Sequence, residues 1–147
     1  MATCESLTGG LICAELTSVP GSSQVVRGGL VTYATATKTS IAGVDPVLIE
    51  THGVVSAEVA QAMAEGARKN CGADWAVAVT GVAGPGALDS IPAGTVWLAV
   101  VNSNQSWCTL LKEEGSRDQV RHQVVEKALS FLNQILIHSS GGPNEKR

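Results

Sequence analysis

The sequence predicts an α/β layered domain built around a mixed β-sheet. Runs of apolar and β-branched residues alternate with segments of helical periodicity, and a hairpin pattern and a long amphipathic helix close the chain. No internal repeat or linker divides the 147 residues, so a single domain is the simplest organisation. Hydrophobic residues make up 44% of the chain and aromatic residues only 3%, so we expect a sizeable core that is mostly aliphatic.

The N-terminal third is predicted to contain a helix, a strand and two short helical turns. Residues 11–16 have the composition of a helix that follows a turn. Residues 25–35 are rich in β-branched side chains and predict a strand, in which the pair at 28–29, both glycine, marks a bulge or a close backbone approach. Residues 37–42 and 46–51 are predicted to form the two helical turns.

The middle of the chain contains the clearest helix and a buried strand. Ser56 is predicted to cap the helix, whose apolar residues repeat along one face, and Gly72 is predicted to end it. The continuous apolar run over residues 75–80 is typical of a strand that is buried on both faces. Residues 81–92 follow as a loop that is rich in glycine and proline.

The C-terminal third predicts a hairpin and a final helix. Residues 95–101 and 107–112 are predicted strands joined by a short polar turn. Residues 116–119 match a capping box, and the helix that follows carries one apolar stripe. We therefore place a single domain over residues 1–137 and expect residues 138–147 to be a disordered polar tail.

Composition and charge exclude several classes of partner. The formal net charge is −3 and the isoelectric point about 5.5, which argues against nucleic-acid binding, because such binding needs a basic surface. No apolar run reaches the roughly 20 residues of a membrane helix, and no signal-peptide pattern opens the chain, so we expect no membrane partner. The cysteines form no CxxC pair and the histidines stand apart, which predicts a cytoplasmic protein without a metal site or cofactor.

Ser6, Tyr33 and Lys38 are the candidate catalytic residues. Ser6 precedes a glycine-containing turn at a predicted helix start, where unpaired amides can stabilise an oxyanion or bind a phosphate. A serine hydroxyl is a weak nucleophile until a base takes its proton, and Lys38 can be that base if burial lowers its pKa. Tyr33 would relay the proton or hold the amine.

Each of these residues also has a structural interpretation. Ser6 would then be a helix cap, Tyr33 a core aromatic residue and Lys38 a solvated surface amine. From spacing alone, the structural interpretation is the more common one. The sequence spacing therefore leaves both interpretations open.

A second group of residues predicts ligand contacts. Thr80 and Gly81 begin the glycine-rich loop after the buried strand, and such loops are where α/β folds place ligands. Arg27, Arg117 and Arg121 are candidate anion contacts, and Arg117 is the best placed because it lies in the first turn of a predicted helix. The alternatives are a plain structural turn and solvated arginine side chains.

Seven blocks occur in a recognisable order along the chain. They are 4–10 (CESLTGG), 20–23 (PGSS), Arg27 through Tyr33 to Lys38, 43–44 with 53–56 (GV, GVVS), 79–85 (VTGVAGP), 94–97 (GTVW) and 115–121 (GSRDQVR). This ordered set, from about residue 3 to about residue 135, resembles the CinA C-terminal domain family, which includes the nicotinamide-nucleotide amidohydrolases.

The resemblance implies a three-layer α/β/α fold with a mixed, mainly parallel sheet. Members of the family carry a helix and a strand ahead of the serine. Since few residues precede Ser6 here, we expect the N-terminal helix and part of the first strand to be missing. The resemblance also suggests a homodimer.

The resemblance further implies an activity and a set of site residues. The activity is hydrolysis of the carboxamide of nicotinamide mononucleotide, which gives nicotinate mononucleotide and ammonia. The nucleophile would be Ser6, assisted by Lys38 and Tyr33. The positions implied to bind substrate are Thr8, Gly9, Gly21, Arg27, Thr80, Gly81 and Arg117. The alternatives are a non-catalytic nucleotide-binding or regulatory relative and a serine hydrolase that acts on another small amide.

Overall fold

The structure is a computed structural model that describes residues 1–140. One five-stranded sheet forms its centre, with the strand order β2-β1-β3-β4-β5. The strands are β1 (Ala2–Glu5), β2 (Gly28–Val31), β3 (Ala76–Gly81), β4 (Thr95–Val101) and β5 (Ser106–Lys112).

Helices cover both faces of the sheet, which confirms the three-layer arrangement. They are α1 (Leu11–Thr17), α2 (Thr35–Ser40), α3 (Pro46–His52), α4 (Ala57–Asn70) and α5 (Arg117–Ser140), with a short 3-10 turn at Ser22–Gln24. The apolar face of α4 packs against one face of the sheet, and α1 and α5 pack against the other. None of the helices within residues 1–140 combines the length and apolarity that crossing a bilayer needs.

The sheet is mixed, as predicted, but its pairings are evenly divided rather than mainly parallel. β1 pairs in parallel with β2 and with β3, whereas β3–β4 and β4–β5 are antiparallel. The chain between β3 and β4 is a loop without a helix, so it returns beside β3 in the opposite direction. Only the N-terminal half of the chain uses crossover helices, and only that half is parallel.

Residues 2–5 form a central strand of the sheet, so at least this part of the first strand is present. Ala2 pairs with Gly28 on one side and with Ala76 on the other, and all four residues of β1 are buried. Ala2 and Cys4 belong to the apolar core on one face of the sheet, whereas the buried polar residues Thr3 and Glu5 lie on the other face.

Strand β2 is shorter than predicted. The predicted strand covers 25–35, whereas β2 ends at Val31 and α2 already begins at Thr35. The expected close backbone approach is confirmed at Gly29, where a Cβ atom would lie 2.5 Å from the Oγ1 atom of Thr3. The alternation of side chains along a strand therefore does not extend to the residues that follow Val31.

The end of the chain also differs from the prediction. The capping box is confirmed, because Ser116 N donates to Gln119 Oε1 at 2.9 Å and Gln119 N donates to Ser116 Oγ at 3.2 Å. Helix α5 continues to Ser140, beyond the predicted boundary at residue 137. The remainder of the predicted tail, 141–147, lies outside the described residues.

Replacing Gly66 by alanine tests the contact between α4 and the chain after α2. A Cβ atom at Gly66 would lie 1.8 Å from the carbonyl oxygen of Ala42, so the helix would have to move away. Helix propensity alone favours alanine by about 1 kcal/mol. In urea unfolding we expect the opposite sign, with a free energy of unfolding that falls by roughly 1–3 kcal/mol. Gly86→Ala is the matched control, because no atom lies within 4 Å of its added Cβ. Equal stability of the two variants would contradict the close contact.

Candidate active site

The ends of three neighbouring strands open onto one cleft of about 380 Å³. Ser6 directly follows β1, Tyr33 follows β2, and Thr80 and Gly81 end β3. These are the carboxyl ends of the parallel strands, the edge at which open α/β sheets bind ligands. The volume lies within the usual range for small-molecule sites, roughly 300–1,000 Å³. The lining residues outside these strand ends are Leu7, Thr35, Lys38, Val54, Val55, Val82 to Leu88 and Arg117.

The structure brings Ser6 and Lys38 together at the base of this cleft. The Nζ atom of Lys38 lies 3.1 Å from the Oγ atom of Ser6 and 2.6 Å from the carbonyl oxygen of Thr32. Lys38 is only 1% exposed, so it is not a solvated surface amine. Ser6 is not a helix cap either, because the residue in the N-cap position of α1 is Gly10. Both structural alternatives are therefore wrong.

The environment of Lys38 favours its neutral form. Burial lowers the pKa of its amine below the ordinary value of 10.5, and the neighbouring Cys4 opposes this shift. Burial in turn raises the pKa of the Cys4 thiol to about 11, so that thiol is uncharged at neutral pH. Among the described residues, no carboxylate forms an ion pair with Lys38. Its amine thus has little compensation for the cost of burying a charge.

The buried carboxylate next to Ser6 in sequence does not supply that compensation. Alternation along β1 places Glu5 on the opposite face of the sheet from Cys4 and Ser6. Its carboxylate accepts hydrogen bonds from the Thr8 hydroxyl at 2.6 Å and from the amides of Ile12 at 2.8 Å and Cys13 at 3.1 Å. Sequence analysis did not single out Glu5. A helix start without a capping side chain is the signal that could have found it.

The Ser6–Lys38 pair can activate a hydroxyl. A neutral lysine amine has two N–H groups and one lone pair. With one N–H donated to the Thr32 carbonyl, the lone pair can accept the Ser6 proton across the 3.1 Å contact. The arrangement has the three parts of an activated nucleophile: a hydroxyl, a base, and a group that orients the base.

Tyr33 bonds to Arg117 rather than to Lys38 or Ser6. The Nη2 atom of Arg117 donates to the Tyr33 hydroxyl at 3.0 Å, and its Nη1 atom donates to the Gly84 carbonyl at 2.6 Å. Tyr33 is 61% exposed, so it is not a core aromatic residue. The predicted contact of Tyr33 with the amine is thus replaced by a contact that holds Arg117 at the mouth of the cleft.

Thr80 and Gly81 line the cleft as predicted, and each has a local structural reason. The Thr80 hydroxyl donates to the Val54 carbonyl at 2.9 Å, which ties the end of β3 to the chain before α4. A Cβ atom at Gly81 would lie 2.5 Å from the carbonyl oxygen of Thr95, so this position needs glycine.

The resemblance implies that amides near Thr8 and Gly9 hold an oxyanion, and among the described residues the structure leaves one of these two amides without a partner. Gly9 N donates to the Ser6 carbonyl at 3.1 Å, and the Thr8 side chain faces Glu5, so neither group is free for a ligand. Within residues 1–140, the amides of Leu7 and Thr8 donate to no protein acceptor. Leu7 also lines the cleft, and sequence analysis missed it. The amide of a residue that follows a nucleophile is a common oxyanion donor, which is the signal that points to Leu7.

Gly21 and Arg27 lie away from the cleft, which corrects their prediction as binding residues. Arg27 N donates to the Met1 carbonyl at 2.8 Å, and its Nε atom donates to the Cys71 carbonyl at 3.3 Å. A chain segment that connects a helix to the next parallel strand must return to the amino end of the sheet. Both residues lie in such a segment, between α1 and β2, so they reach the opposite edge.

Arg121, the third candidate anion contact, does not line the cleft and binds the turn after Ser6. Its Nε atom donates to the Leu7 carbonyl at 2.9 Å and thereby joins α5 to the turn.

Arg117 gives the cleft a positive charge at its mouth. Lys38 also lines the cleft, but burial favours its neutral form, and no Asp or Glu lines the cleft among the described residues. No cluster of potential metal ligands was found in the described part of the chain. The cleft therefore suits a ligand with an anionic group near Arg117.

The sequence of the chain is similar to those of known proteins. The profile of the family described as "CinA C-terminal domain" matches residues 1–136. A CinA-like protein of Acidobacterium capsulatum is 43% identical over 138 residues, which cover 93% of this chain and 33% of that protein. A CinA-like protein of Mycobacterium marinum is 46% identical over 138 residues, which cover 92% of this chain and 32% of that protein. The chain thus spans about a third of the length of the curated relatives it matches.

Solved structures share the fold. The competence/damage inducible protein CihA from Agrobacterium tumefaciens superimposes with a TM-score of 0.86 and 40% identity, covering 90% of this chain and 82% of that chain. The competence damage-inducible protein A (ComA) from Klebsiella pneumoniae gives a TM-score of 0.90 and 34% identity over 93% of this chain and 86% of that chain. These matches confirm the α/β fold class.

The lowered pKa of Lys38 predicts a pH-dependent stability. The unfolded chain holds a proton on Lys38 up to pH 10.5, whereas the folded chain releases it at lower pH. Between the pKa of Lys38 in the folded chain and its pKa in the unfolded chain, the free energy of unfolding rises with pH, by at most about 1.4 kcal/mol per pH unit. In urea unfolding from pH 7 to 10.5, wild type should therefore gain stability relative to Lys38→Met. The hydrogen bonds lost in the variant shift the whole curve but not this slope. Parallel curves would show that Lys38 keeps an ordinary pKa.

Proposed function

Because this chain belongs to the CinA C-terminal domain family, we propose that it is an amidohydrolase that converts nicotinamide mononucleotide to nicotinate mononucleotide and ammonia. The observation that carries the proposal is the buried contact of 3.1 Å between Lys38 Nζ and Ser6 Oγ at the base of the cleft. A lysine without a counter-ion is costly to bury, and a role as a base explains its position.

The first half of the reaction forms an acyl-enzyme. The Oγ atom of Ser6 attacks the carboxamide carbon while its proton passes to the neutral amine of Lys38. The negative charge that develops on the carbonyl oxygen is stabilised by the free amides of Leu7 and Thr8. Lys38 then returns the proton to the leaving nitrogen, the C–N bond breaks, and ammonia departs.

The second half releases the acid. A water molecule gives a proton to Lys38 and attacks the acyl carbon, and the bond to Ser6 Oγ breaks as that oxygen regains the proton. The carboxylic acid product ionises, and Lys38 is neutral again. The Thr32 carbonyl keeps the amine oriented in both halves.

Arg117 supplies the contact for the phosphate group. Two of its N–H groups are used by Gly84 and Tyr33, so its remaining donors can face a ligand in the cleft. Tyr33 assists here by positioning the guanidinium rather than by transferring a proton. The apolar wall of Val54, Val55 and Val82 is suited to the flat face of a pyridine ring.

The loss of Ser6 tests the reaction directly. We expect Ser6→Ala to reduce ammonia release from nicotinamide mononucleotide by at least about 10³-fold, because the attacking oxygen is gone. Ser23→Ala, at an exposed position, is the matched control and should leave the rate unchanged. No turnover by wild type with tight binding of the nucleotide would instead indicate a non-catalytic binding protein. Equal turnover in both variants would remove Ser6 from the mechanism.

Substitutions of Arg117 and Arg27 test which arginine contacts the phosphate group. Arg117→Ala should raise KM for nicotinamide mononucleotide by roughly 10- to 100-fold, since a charged hydrogen bond contributes about 1.5–3 kcal/mol. The same variant should hardly change KM for nicotinamide riboside, which lacks the phosphate. Arg27→Ala is the control and should leave both values unchanged, because Arg27 lies at the opposite edge of the sheet. The reverse pattern would assign the phosphate to Arg27.

A further inference from the structure

Glu5 is a buried charged group that the proposed mechanism does not use. It is 0% exposed, and both of its carboxylate oxygens accept hydrogen bonds. Two of the donors are the amides of Ile12 and Cys13, which the short helix α1 cannot satisfy by itself. The third donor is the hydroxyl of Thr8, inside the turn that follows Ser6. The carboxylate thus connects the end of β1 to the far side of that turn.

The main chain on both sides of Glu5 is fixed independently of its side chain. Its carbonyl accepts from Thr32 N at 2.9 Å, and Ser6 N donates to the Val79 carbonyl at 3.1 Å. The neighbouring strands β2 and β3 therefore hold Ser6 itself. The Glu5 side chain determines the path of the chain beyond Ser6, which carries the amides of Leu7 and Thr8.

We propose that Glu5 is a positioning residue of the reaction, which aims the Leu7 and Thr8 amides at the oxyanion formed beside Ser6. This inference rests on the proposed function. Donors aimed in advance at a developing charge account for a large part of catalysis, and small displacements weaken them steeply. Arg121 holds the same turn from α5 through the Leu7 carbonyl, so the turn is fixed from two sides.

Glu5→Gln is the most specific test, because it keeps the shape of the side chain and replaces one acceptor oxygen of the carboxylate by an N–H donor. The Oε1 atom faces the amide of Ile12 and the Oε2 atom faces the amide of Cys13. Either orientation of the new side-chain amide therefore points an N–H donor at another N–H donor. The turn must shift to relieve this contact. A misplacement of about 1 Å can reduce a rate by about 10²-fold.

The experiment measures two reactions of Ser6. One is the hydrolysis of nicotinamide mononucleotide, with kcat and KM determined separately. The other is the labelling rate with an alkyl fluorophosphonate: the bond from Ser6 Oγ to phosphorus forms, the P–F bond breaks, the proton passes to Lys38, and fluoride leaves. The second reaction also needs stabilisation of an oxyanion but does not depend on the identity of the natural substrate.

We expect Glu5→Gln to lower kcat and the labelling rate by about 10²-fold with little change in KM. Glu113→Gln is the matched control: this carboxylate is also buried, is paired with Lys127, and does not line the cleft. It should lose stability and keep both rates. If Glu5→Gln is folded and has wild-type rates, the carboxylate is only structural and the inference is overturned.

Two further outcomes keep the inference separate from the proposed function. If Glu5→Gln does not fold, Thr8→Val tests the inference in its place. This variant removes the hydroxyl that donates to Glu5 and keeps the charge of the Glu5 carboxylate. A slower labelling rate in that variant supports the inference, and a wild-type rate overturns it. Wild type that is labelled but does not hydrolyse the nucleotide overturns only the proposed substrate. Wild type that shows neither reaction overturns both the proposed function and the role of Glu5.

Discussion

The candidate site depends on the register of one four-residue strand, β1, between two parallel neighbours. Hydrogen bonds from both sides fix Ala2 to Glu5, and they continue through Ser6 N to β3. Because side chains alternate, Cys4 and Ser6 face α2 and α4, while Glu5 faces α1. A shift of one residue would exchange these faces and bring the carboxylate beside Lys38 in place of the hydroxyl. The pairing register of β1 therefore decides which side chain lies beside Lys38 in the cleft.

This placement also decides the electrostatics of the cleft. A carboxylate next to Lys38 would stabilise its charged form and make it a poor base. The structure instead keeps the acidic group on the other face of the sheet and leaves Lys38 with a hydroxyl and a carbonyl. The neighbouring Cys4 thiol is uncharged at neutral pH and so supplies no counter-charge. Glu5 ends β1 and Ser6 follows it, so these two neighbours in sequence lie on opposite faces of the sheet.

The sequence predicted the residue types of the site better than their contacts. The need of Ser6 for a base pointed to Lys38, and the structure brings these two side chains together. The partner of Tyr33 could not be predicted, because it depends on β2 ending at Val31 and on α5 reaching back to the mouth of the cleft. Arg27 was misassigned because sequence order does not reveal which edge of the sheet a segment reaches. Glu5 was missed because a buried carboxylate leaves no pattern in the spacing of apolar residues.

The fork of hydrogen bonds on Arg117 has a consequence for ligand affinity. A free arginine side chain has many rotamers, and fixing it costs roughly 2 kcal/mol of conformational entropy. Here the guanidinium is already held by hydrogen bonds to the Tyr33 hydroxyl and the Gly84 carbonyl. That entropy is lost when the chain folds, so it is not lost again when an anionic ligand arrives. The held guanidinium would therefore bind an anionic group more strongly than the same guanidinium on a mobile side chain.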